Sequence, residues 1–114
     1  MNTGIRYGLN PKTLGDIINV SSGSCFNSLN MNPVKGVVRG SSAERDFEGG
    51  FPTEMAKGVI EMATQLSRDV GAKSVFGPIV NDVFDRACRN EKCKGKECRS
   101  VWRLFAEDEG RDLD

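Results

Sequence analysis

Histidine is absent from this chain, so a metal site could draw on little beyond its four cysteines. No apolar run approaches the roughly 20 residues that a membrane-spanning helix needs, which excludes a membrane partner of that kind. No charge sign is in excess: 16 basic residues balance 16 acidic ones, so global electrostatics offers no argument for nucleic acid. The opening residues show neither the basic and apolar regions of a secretory signal nor an Arg-rich amphipathic leader, so the sequence supplies no address. No segment alternates with period two, no hairpin turn lies between apolar runs, and no repeat is visible. The lack of alternation and of hairpin turns argues against a sheet-based fold.

What is present is helical. The length, 114 residues, suits one domain that can bury a real core. Residues 1–8 read as the end of a helix, closed by Gly8 at the C′ position. It has no start signal, as expected of a chain cut inside a longer helix. The next helix is capped by Asn10 with Pro11 at its first position. Leu14, Ile17, Ile18 and Ser21 fall on one face, and Gly23 is expected to end it. Residues 24–50 read as a long ordered loop, with room for one short helix.

A clear helix follows over Thr53 to Asp69. Met55, Val59, Met62 and Leu66 form a stripe flanked by Ala56, Ile60 and Ala63, an arc wide enough to predict burial on more than one side. Gly71 stops it. Another helix starts near Gly77 and Pro78, with Ile79, Val80, Val83, Phe84, Ala87 and Cys88 as its expected core face. A last helix is predicted from about Glu97 to Glu107, burying Val101, Trp102, Leu104 and Phe105. The expected fold is an all-α helical bundle of four to five helices plus a long loop, over residues 1–108. Residues 109–114 read as a frayed acidic tail.

Cys88, Cys93 and Cys98 are evenly spaced and Cys25 is distant. Structural zinc sites use tight pairs, so no metal is expected. Cys88 reads as a small core residue, and Cys93 and Cys98 as exposed thiols. Arg86, Arg89, Lys92, Lys94, Lys96, Arg99 and Arg103 form a basic region, read as a solvated surface, with a phosphate or acidic partner as the alternative.

The order of Asn10-Pro11-Lys12-Thr13-Leu14, Asn19-Val20-Ser21-Ser22-Gly23, Asn32-Pro33-Val34, Gly49-Gly50-Phe51 and Met55-Ala56-Lys57 carries a resemblance. It is similar to the C-terminal helical domain of the 3-hydroxyisobutyrate dehydrogenases, within the β-hydroxyacid dehydrogenase family and its 6-phosphogluconate dehydrogenase-like C-terminal domains. That resemblance covers nearly the whole chain. It implies an NAD-dependent oxidoreductase of valine catabolism, in which a Rossmann domain grips the dinucleotide. Neither the glycine-rich phosphate loop nor the G-x-G-x-x-x-K-x-x-N catalytic lysine motif is present, so no catalytic residue is assigned here. The resemblance implies that Lys57 contacts the NAD cofactor and that Phe51 lies at the substrate. The chain departs from the pattern at Gly58 and Val59, where aspartate and leucine are usual, and at Thr64 or Gln65, an acidic position. The interval from Phe51 to Lys57 is one residue short, about 100° of helical rotation.

The implied partners are a Rossmann domain or an intact dehydrogenase subunit, a second copy of the chain, and a small hydroxy acid only in the intact enzyme. The isolated chain is expected to be inactive. The alternative function is a non-catalytic helical interaction or dimerisation module. Resemblance implies a mitochondrial location, with a cytoplasmic one as the alternative.

Overall fold

The computed structural model describes residues 1–106. Among them every regular element is helical, and the single β-bridge, Pro52 to Glu97, belongs to no strand. The all-α expectation therefore holds. The chain divides into two compact units: residues 1–48 with the C-terminal segment from Trp102, and Gly49–Val101.

In the first unit, α1 covers Asn2–Arg6, α2 Pro11–Asn19 and α3 Phe26–Asn30. The end of α1 is a Schellman turn: Gly8, at a φ of 100°, donates its N–H to Ile5 O, and Leu9 donates to Gly4 O. Asn10 caps α2 by accepting the Thr13 N–H at 3.0 Å, with Pro11 in the first turn, as expected. The helix stops at Asn19 rather than at Gly23. Ser21 is also not part of an apolar face; its hydroxyl turns back to Ile18 O. The buried position of α2 is Gly15, where Val37 packs so closely that an added Cβ would lie 2.6 Å from its Cγ1. The expected loop contains α3 and a 3₁₀ turn, Ser42–Arg45. Beyond that turn Asp46 and Phe47 both adopt left-handed backbone, and Phe47 is buried.

In the second unit, α4 spans Thr53–Asp69 and α5 Gly77–Arg89, and the two pack against each other. Thr64 Oγ1 donates to Ile60 O and accepts from Asn81 Nδ2 at 2.8 Å, a hydrogen-bonded stitch between them. The start of α4 is pinned by a buried polar knot. Thr53 donates its N–H to Lys96 O, its hydroxyl lies 3.1 Å from Cys93 O, and Cys98 donates its N–H to Phe51 O. Glu97, 1% exposed, accepts the Arg99 N–H and pairs with the Arg99 guanidinium.

Four expectations need correction. The stripe Met55, Val59, Met62 and Leu66 is exposed, not buried. The buried face of α4 carries Thr53, Ala56 and Thr64 instead. At 100° per residue the two faces lie about 140° apart on the helix, and the small side chains of the buried face let α5 approach closely. On α5, Ile79 and Val80 are exposed and Ala87 is the buried residue. Cys93 is fully buried and Cys98 half-buried, because both belong to the knot rather than to a solvent-facing turn. The last predicted helix begins as a 3₁₀ segment, Cys98–Trp102, and becomes α6 only over Arg103–Ala106, with Val101, Trp102 and Leu104 half-buried and Phe105 exposed. The expected helix end at Glu107 and the acidic tail 109–114 lie outside the described residues.

Candidate functional site

Lys57 stands in the second turn of α4, four residues past the buried Thr53. This geometry places its side chain beside Glu61, one turn onward, and toward α5. Its Nζ lies 2.8 Å from Glu61 Oε1 and 3.1 Å from Asp85 Oδ1. The hydrogen bond to Glu61, then that to Asp85, pushes the ammonium pKa up. Lys57 therefore stays protonated across the physiological range and acts as a cation and donor, not as a base. An ammonium has three N–H donors. Two carboxylates lie within ion-pair distance of Lys57 Nζ.

Phe51 sits two residues before α4. Its carbonyl accepts the Cys98 N–H at 2.8 Å and the residue is 43% exposed. The two predicted site residues thus lie at the same end of α4, with no hydrogen bond joining them. Gly58 is followed by open space, so no carboxylate is offered at that position. Glu61 and Asp85 supply the carboxylates instead. The Glu61 contact is legible in sequence as an i, i+4 pair. The Asp85 contact carries no local signal, because only the packing of α5 on α4 creates it.

Ser21 to Cys25 are exposed, and Asn32, 2% exposed, spends its Oδ1 on Val34 N at 3.1 Å. These residues form turns. In the basic region, Arg99 is held by Glu97 and Arg103 by Asp46. Among the described residues no group of three Cys, Asp or Glu side chains could hold a metal ion, and all four cysteines are free thiols. No described helix is long and apolar enough to cross a membrane. The described residues contain no strand–helix phosphate cradle.

Comparison with known proteins agrees with the helical reading. The chain is 33% identical over 109 residues to the mitochondrial 3-hydroxyisobutyrate dehydrogenases of mouse and human, covering 96% of this chain and 32% of theirs. It is 31% identical over 102 residues to the probable mitochondrial enzyme of Arabidopsis thaliana, covering 90% of this chain and 29% of that protein. The solved Mycobacterium tuberculosis 3-hydroxyisobutyrate dehydrogenase with L-serine matches 90% of this chain and 35% of its own, at 24% identity and a TM-score of 0.78; this supports the fold. No protein-family model matches. The chain spans about a third of the length of the curated relatives it matches, and it is homologous to that part of the 3-hydroxyisobutyrate dehydrogenases.

Proposed function

We propose that this chain, through residue 108, serves as the C-terminal helical portion of an NAD-dependent dehydrogenase of the 3-hydroxyisobutyrate type. The complete reaction takes hydride from a β-hydroxy acid to NAD in valine catabolism, and the mitochondrial designation of the relatives supports a mitochondrial location. The bound dinucleotide supplies the hydride acceptor. This chain's own contribution is to position and to exclude water. Lys57, fixed by Glu61 and Asp85, directs its remaining N–H at a cofactor oxygen, and Phe51 offers an apolar wall to the substrate. The observation that carries this reading is the doubly clamped Lys57, protonated at neutral pH, in a chain with this homology.

Turnover requires a dinucleotide-binding part, so the chain alone forms no NADH from 3-hydroxyisobutyrate. Joined behind the dinucleotide-binding part of a mouse or human relative, it restores NADH formation. In that fusion Lys57→Met raises the KM for NAD about tenfold, the effect of one lost charge-assisted hydrogen bond. An active fusion indifferent to Lys57→Met sinks the cofactor role. A folded fusion without activity sinks the enzyme reading.

A second reading, a helical association module without chemistry, is favoured by one observation. Met55, Val59, Met62 and Leu66 expose a continuous apolar stripe along α4. Its occupant would be a dehydrogenase subunit or a second copy of the chain. Sedimentation of the purified chain tests this, and a concentration-independent monomer that does not bind a dehydrogenase subunit removes it.

A further inference from the structure

The first unit contains a cleft that the dehydrogenase reading does not use. It has a volume of about 200 Å³ and is lined by Pro33, Lys35, Ala43, Asp46, Phe47, Trp102 and Arg103. Its apolar wall is well fixed. Ala43 and Phe47 are each 4% exposed, and the half-buried Trp102 is the chain's single tryptophan.

Its charged side is equally defined. The Arg103 guanidinium, 15% exposed, stacks 4.9 Å from the Phe47 ring centroid and pairs with Asp46. Asp46 and Phe47 reach these places through consecutive left-handed residues, at φ of 57° and 58°. Phe47 has no side-chain hydrogen bond to favour that conformation. Burial of its ring and the Arg103 stack hold it there. Lys35 adds a second, exposed cation with no carboxylate partner among the described residues. Among the described residues its lining carries two cations and one carboxylate, a net charge of one positive unit.

We propose that this cleft binds a small planar monocarboxylate. Its ring packs against Trp102 and Pro33, and its carboxylate lies between Lys35 Nζ and the Arg103 guanidinium. The size follows from the volume, below the roughly 300–1,000 Å³ of pockets for drug-sized ligands. The charge follows from the one uncompensated cation. The planar shape follows from an aromatic and a proline facing a small void, where a flat ring gains contact on its faces.

Benzoate is the probe, with benzamide as its uncharged counterpart. The Trp102 indole N–H resonance of the intact chain is followed as each is added. Benzoate gives a saturable shift, and benzamide binds about tenfold more weakly or not at all. Lys35→Gln weakens benzoate about tenfold while Lys35→Arg retains it, and Lys12→Gln, an exposed lysine outside the cleft lining and paired with Asp16, changes nothing. Because Lys35 is exposed, these variants report binding and not folding. Equal binding of benzoate and benzamide, no saturable shift with benzoate, or indifference to Lys35→Gln each overturns the proposal.

Discussion

Four thiols of one residue type become chemically unequal in this fold. Cys25 is exposed, and hydrogen bonding with Ser28 lowers its pKa. Burial, then the neighbouring Glu97 charge, pushes the Cys98 thiol up to about 11. At pH 8 only about one Cys98 in a thousand is thiolate. Iodoacetamide is therefore expected to label Cys25 first and Cys98 slowly, with the Cys98 rate rising about tenfold per pH unit until pH approaches 11. Cys93, fully buried and with its thiol donating to Ser100 O, reacts only on unfolding. Peptide mapping of alkylated samples checks the order, and comparable labelling of Cys98 and Cys25 at pH 8 contradicts it. The sequence reading of Cys93 and Cys98 as exposed thiols failed because spacing says where a residue falls along the chain. It does not say that residues 93–100 fold over the start of α4.

At the scale of the element, two glycines in helices have opposite tolerances. Gly58 lies inside α4 with nothing within 4 Å of an added Cβ. Gly58→Ala is expected to stabilise the chain by about 0.5–1 kcal/mol, the usual helix-interior difference. Gly15 lies inside α2 with Val37 Cγ1 only 2.6 Å from an added Cβ. Val37 is 8% exposed and has little room to retreat, so Gly15→Ala costs about 1–3 kcal/mol. Thermal melts of the two variants separate them, and a shift of the same sign for both refutes the packing argument. The helices themselves were legible where their signals are local. The bounds of α4 match the residue pattern, and Asn10, Pro11, Gly8 and Gly71 perform the capping tasks that their types imply. At Gly71, the N–H donates to Arg68 O while Ala72 donates to Ser67 O. The helix predicted over 97–107 was less legible, because the knot around Thr53 and Ser100 tightens its first turn into 3₁₀ geometry.

At the scale of the whole molecule, the apolar surface left uncovered is the main result. Met55, Val59, Met62 and Leu66 repeat along α4 at helical spacing, Val70 continues the row just past its end, and Val75, Phe76 and Ile79 add to the exposed set. Single exposed apolar residues are ordinary, but a continuous row favours association. Met62→Glu with Leu66→Lys should shift the sedimentation coefficient toward that of a monomer without changing helical content by circular dichroism. An unchanged coefficient in a chain that self-associates would place the interface elsewhere.

The sequence by itself determined the presence of α2, α4 and α5, the caps at Gly8, Asn10 and Gly71, and the homology to part of the dehydrogenases, because each is written in neighbours a few residues apart. Only the tertiary structure decided which helical face is buried, that Asp85 of α5 joins Glu61 on Lys57, and that Lys35, Phe47, Trp102 and Arg103 surround one cleft. Those outcomes depend on contacts between residues tens of positions apart. An amphipathic pattern shows that a face is suited to burial but does not name what will cover it.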